Sequence, residues 1–139
     1  MFKNILVAVD GSEHGLKAAR TAGNMARALQ ADLRVVVAYE PVPTYIGQPN
    51  LQEAITARLA YSDKILSEAL AEIGGIPGVM KTEALEGPPA EAVLAAADTW
   101  NVDLIIMGTR GLGRLASVVI GSQSQKVIAH AKCPVLLVR

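Results

Sequence analysis

The sequence predicts an α/β protein: a doubly wound parallel sheet with helices on both faces. Short, nearly unbroken apolar runs stand at Ile5–Val9, Leu33–Tyr39 and Leu104–Met107, and strands with so little alternation belong to sheets buried on both sides. Stretches of helical spacing separate them, and a strand-helix alternation of this kind closes through right-handed crossovers. The 139 residues are 51% hydrophobic and 19% charged, enough apolar material for one substantial core in a single domain, 1–139, and too much for a disordered chain.

The first strand, Ile5–Val9, ends at Asp10-Gly11. Ser12 is placed to cap the next helix, and Glu13 suits its first turn. Leu16, Ala19, Gly23, Ala26 and Leu29 follow at helical spacing to about Gln30, small residues that allow close packing. Leu33–Tyr39 is the second strand. Residues 40–50 carry Pro41, Pro43, Gly47 and Pro49, which block regular structure and leave a loop with room for a lid or partner surface. Leu51–Ile73 reads as a long helix with Ala54, Ile55, Leu59, Ile65, Leu66, Ala69 and Leu70 as its apolar face, stopped by Gly74-Gly75. Val79–Leu85 alternates and reads as a half-exposed edge strand. Pro88-Pro89 opens an alanine-rich helix, Ala90–Trp100, closed by Asn101. Leu104–Met107, a helix over Ser122–Ala131 and a strand over Pro134–Val138 complete the chain.

Several function classes are excluded by composition. The formal net charge is zero, so there is no basic surplus to grip nucleic acid or an anionic membrane. Aromatic residues make up 4% of the chain, too few for a base-stacking face. His14, His130 and the single cysteine, Cys133, have no partners at metal-ligand spacing, and no nucleophile, histidine and carboxylate set suggests a catalytic triad. One cysteine makes no internal disulfide. The opening apolar run is broken by Asp10 and too short for a secretory signal, so a cytoplasmic location is expected.

The stretch Gly108–Ser124 carries the chemistry. It leaves the carboxyl end of a predicted strand and enters a helix, the place where open α/β sheets bind ligands. Gly108, Gly111, Gly113 and Gly121 let backbone amides approach an anion closely. The start of the following helix favours negative charge. Ser122 and Ser124 add hydroxyls, and Arg110 and Arg114 add charge. Ser122 and Gln125 also spell a capping box. A hydroxyl has one proton to give, so if Ser122 caps, Ser124 is the direct phosphate donor.

The spacing from Gly108 to Gly111, and on to Gly121-Ser122, resembles the nucleotide-binding pattern of the universal stress protein family: Gly, two residues, Gly, nine residues, Gly, then Ser or Thr. The likeness extends to the opening Ile5–Ser12, the turn Gly87–Glu91 and the closing Cys133–Val138. It implies a Rossmann-like sheet of five strands in the order 3-2-1-4-5. The chain then reverses between strands 1 and 4, and a crevice opens between Asp10 and Gly108. It implies ATP as ligand, with Mg²⁺ bridging the phosphates. Ala8, Val9 and Asp10 would line the nucleotide, with Asp10 toward the ribose. Val37 and Ala38 would line the adenine slot, with Met107 against the base. Gly108, Thr109, Arg110, Gly111, Arg114, Gly121, Ser122, Gln123 and Ser124 would surround the phosphates. Gln123 departs from the small apolar residue of the family pattern. The family commonly pairs its last strand antiparallel across a two-fold axis, which implies a homodimer through 134–138.

The residue-level alternatives are that Asp10 only caps the first turn, that Val37, Ala38 and Met107 are core, and that the arginines are solvated surface. The functional reading is a stress-response regulatory module that binds ATP, serves an unidentified protein partner and hydrolyses ATP slowly at most. Its alternatives are an ATP-hydrolysing or adenylating enzyme on a related fold, and a nucleotide-free interaction module.

Overall fold

The computed structural model describes residues 1–109 and 120–139. These residues form β1 (Asn4–Val9), α1 (Glu13–Leu29), β2 (Asp32–Tyr39), a short 3-10 turn (Thr44–Ile46), α2 (Asn50–Ile73), β3 (Met80–Glu86), α3 (Pro89–Thr99), β4 (Leu104–Gly108), α4 (Ser122–His130) and β5 (Val135–Val138). All neighbouring strands pair parallel, in the order β3-β2-β1-β4-β5.

The unbroken apolar strands are explained by two cores, one on each face. Successive side chains of a strand point to opposite sides. Ile5, Val7 and Val9 of β1 therefore join Leu33, Val35, Val37, Leu104 and Ile106 in the core beneath α1 and α2. Leu6, Val36 and Ile105 turn the other way, into the core beneath α3 and α4. Arg34 interrupts β2 without cost to this pattern, because its guanidinium lies over the Trp100 ring, 4.4 Å from the centroid.

α1 packs through small residues. A Cβ on Gly23 would stand 2.8 Å from the Ile73 carbonyl oxygen, so only glycine allows α1 and α2 their close crossing. The apolar face expected along the whole of α2 is realised in its carboxyl half alone. Ser62, Ile65, Leu66, Ala69 and Ile73 are buried, whereas Leu59 is exposed and Ala54 and Ile55 are half-buried. Helical spacing reports a stripe but not how much of it meets the sheet.

Candidate functional site

At the end of β1 the chain turns through Gly11, whose φ of +86° is a conformation that glycine adopts without strain. The Asp10 carboxylate is fixed there: its Oδ1 accepts from the Ser12 backbone N–H at 2.9 Å and from the Ser12 hydroxyl. Ser12 in turn caps α1 by accepting from the Gly15 N–H at 3.1 Å. The capping alternative for Asp10 is therefore real, yet it uses one carboxylate oxygen and leaves the other.

Asp10 lines a cleft of about 430 Å³ together with Val37, Ala38, Tyr39, Glu40, Ala57, Arg58, Tyr61, Ser62 and Ile65. That volume is in the range of small-molecule sites, roughly 300–1,000 Å³. Val37 and Ala38, the residues expected at the adenine slot, are part of this lining. The wall from α2 was not anticipated. Arg58 donates to the Glu40 carbonyl, tying α2 to the start of the 40–50 loop. The one available signal was Ser62, a polar residue sitting on an otherwise apolar stripe with Ile65, Leu66 and Ala69. Ala8 and Met107 are placed differently. Both are half-buried against the α3/α4 core, with Ala8 paired to Met107 across β1 and β4, and neither lines the cleft.

Beside it, β4 ends at Gly108, one residue past that pair. Gly108 lies directly against His14, so an added Cβ would stand 2.8 Å from the His14 Cβ. Thr109 Oγ1 and His14 Nδ1 are 3.4 Å apart. Thr109 also joins the two ends of the glycine-rich segment: its carbonyl accepts from the Gly121 N–H at 2.7 Å, and its own N–H donates to the Val138 carbonyl at 2.9 Å. Arg110, Gly111, Gly113 and Arg114 lie outside the described residues.

The start of α4 corrects two details. The Ser122–Gln125 capping box is not made. Gly121, held by Thr109, takes the N-cap position, which makes Ser122 the first helical residue, and no side chain caps this end. Gln125 Nε2 donates to the Ile120 carbonyl instead, at 2.8 Å. Ser124 is buried, and its hydroxyl donates to the Gly108 carbonyl at 2.9 Å. Its single proton thus pins α4 to the end of β4, and the condition for Ser124 as the direct phosphate donor, a capping Ser122, is not met. What remains for an anion is the exposed Ser122 hydroxyl and the amides of Ser122, Gln123 and Ser124. These precede the first helical bond, Gln125 N–H to the Gly121 carbonyl at 3.0 Å. Gln123 also gains an explanation. Its Oε1 accepts from the Ala90 N–H at 3.0 Å, at a helix start whose N-cap, Pro88, offers no side-chain acceptor.

A second cleft, about 240 Å³, lies at the opposite end of the sheet and is lined in part by Asp98, Lys132 and Cys133. Burial pushes the Cys133 thiol up from its ordinary value, and the Asp103 and Asp98 carboxylates add to the effect, so at neutral pH it is a protonated thiol and a poor nucleophile. Among the described residues no three His, Cys, Asp or Glu side chains are grouped to hold a metal ion, and no helix is long and apolar enough to cross a membrane.

Comparison with known proteins agrees with this fold. The model of the universal stress protein family matches residues 1–139. A universal stress protein of Thermus aquaticus is 53% identical over 141 residues, covering 100% of both chains. The structure of universal stress protein UspA from Lactobacillus plantarum superposes with a TM-score of 0.87 at 28% identity, covering 99% of this chain and 98% of that one. A universal stress protein solved in complex with cAMP has a TM-score of 0.71 at 26% identity, covering 99% and 97%. A matching family model along the whole chain, a relative sharing half its residues, and the same sheet order place this chain in the universal stress protein family.

Proposed function

We propose that this chain is a regulatory module that binds ATP across the crevice between β1 and β4. The observation that carries the reading is the meeting of two distant segments. Asp10 keeps a carboxylate oxygen at the end of β1, and the open amides of α4 start beside the end of β4. Phosphates would rest on the Ser122–Ser124 amides and the Ser122 hydroxyl, with Arg110 and Arg114 adding charge. Ribose hydroxyls would meet Asp10, and the base would enter the cleft against Val37 and Ala38. The relative solved with cAMP supports an adenine nucleotide as the ligand class. Mg²⁺ would arrive on the phosphates and keep most of its waters, as this ion does where no protein cage surrounds it. Any hydrolysis is slow, and the output is a changed surface at residues 40–50 presented to a protein partner in a cytoplasmic stress response.

Calorimetry with ATP and Mg²⁺ tests this directly. Saturable binding is expected for the natural chain, and a clear loss for Gly121→Val, which crowds the amides at the start of α4. Full affinity in the variant removes the proposed cradle. Phosphate release over many turnovers per minute would favour the enzyme alternative, and absence of binding the nucleotide-free one.

We further propose a homodimer through β5. Val135–Val138 is an apolar edge strand, half-exposed along its whole length, and such an edge invites pairing with a second copy. Light scattering at micromolar concentration is expected to give twice the chain mass of 14.6 kDa, and a monomer would count against it.

A further inference from the structure

One side chain in the cleft is not explained by helix packing. Ser62 is 2% exposed and lines the cleft, yet its hydroxyl hydrogen-bonds to no other described residue. A serine or threonine inside a helix has a ready partner in the carbonyl one turn back. Thr56 on the same helix uses it, donating to Gln52 at 2.9 Å; Ser62 does not. Among the described residues no enclosed side-chain oxygen or nitrogen lacks a partner, so the access left to the Ser62 oxygen is through the cleft.

The position of Ser62 suits a ligand. Arg58, Ser62 and Ile65 share the inner face of α2 at i, i+4 and i+7 spacing, and all line the cleft. Val37, Ala38 and Ile65 offer shape and apolar contact but no hydrogen bond from a side chain. The Asp10 carboxylate is anchored by Ser12 at the turn. A flat heterocycle lying against Val37 and Ala38 would therefore meet one buried side-chain hydroxyl, which both donates and accepts.

We propose that Ser62 is a specificity-determining residue of this site: its hydroxyl hydrogen-bonds the polar edge of a purine base held between β2 and α2. The proposal rests on the reading of the cleft as an adenine-nucleotide site. A site that hydrogen-bonds a ligand group discriminates against an analogue lacking that group. The protein should thus separate ATP from a benzimidazole riboside triphosphate, which keeps the bicyclic shape but lacks the six-membered ring's nitrogens and its amine.

The test is a cycle of two ligands and three proteins, read by calorimetry and by thermal melts of the ligand-free chain. The natural protein is expected to prefer ATP to the benzimidazole analogue. Ser62→Ala should weaken ATP about three- to tenfold, the size of one neutral hydrogen bond, and leave the analogue's affinity unchanged. Its melting temperature should not fall, because the hydroxyl holds no other part of the protein and is reached through the cleft. Ser67→Ala, at an exposed position of the same helix, measures the gain from helix propensity alone and should leave both affinities as they are. Equal ATP affinity in Ser62→Ala overturns the role of Ser62 while the site reading stands. A lowered melting temperature, or equal losses for both ligands, makes the hydroxyl structural and also overturns it. No ATP binding by the natural protein overturns both.

Discussion

Gly108→Ala is expected to lower stability by about 1–3 kcal/mol, the usual cost of forcing extra atoms into a packed site. For a chain of this size that is a fall in melting temperature of roughly 3–10 °C. The cause is close approach. The new Cβ would stand 2.8 Å from the His14 Cβ, 2.9 Å from its carbonyl carbon and 3.0 Å from its carbonyl oxygen. Two of these atoms are backbone in the first turn of α1, so no side chain can rotate away; β4 and α1 must part. Parting them also pulls on the Ser124 hydroxyl held by the Gly108 carbonyl and on the Thr109–Gly121 bond. ATP affinity should therefore fall together with stability. Urea unfolding reads the first effect as a lower midpoint at unchanged slope. Gly75→Ala is the control, since a Cβ there meets nothing within 4 Å, and its stability should be unchanged or slightly raised. Equal stabilities for the two variants would mean that α1 and β4 yield without cost.

Asp10→Ala is expected to reduce ATP affinity by about 10- to 100-fold, the span of a hydrogen bond to a charged group. The structural part of that loss can be separated from the ligand part. Asp10→Asn keeps an oxygen to accept from Ser12 N–H and hydroxyl but removes the charge, so the turn should survive and affinity should fall less. 2′,3′-Dideoxy-ATP lacks the ribose hydroxyls, and its affinity should barely distinguish the natural protein from Asp10→Ala. This is a double-mutant cycle with the ligand as one partner. An equal loss for ATP and the dideoxy analogue would assign Asp10 to capping alone.

The start of α4 shows why part of this site escapes sequence reading. Ser122 and Gln125 have the spacing of a capping box, but spacing alone does not say which residue takes the N-cap position. A bond from Gly121 to Thr109, twelve residues away, settles that. Ser124 and Gln123 look like phosphate-loop residues by their neighbours. Yet the side chain of one holds β4 and that of the other reaches Ala90, thirty-three residues distant. Ser62 is the converse case. Its break in an apolar stripe gains a meaning only when α2 is laid across the ends of β1 and β2.

The residues alone determined the alternation of strands and helices, the burial of the sheet on both faces and the edge character of β3. Each follows from side-chain periodicity, which is local. The glycine spacing, through its resemblance to a known family, brought Asp10, Val37 and Ala38 to one end of the sheet in advance. Tertiary structure alone decided that α2 walls the cleft, that Ala8 and Met107 face the other core, and that Ser124 bonds to protein. Those outcomes depend on how elements far apart in the chain settle against one another, and on which of several partners a single hydroxyl proton then meets.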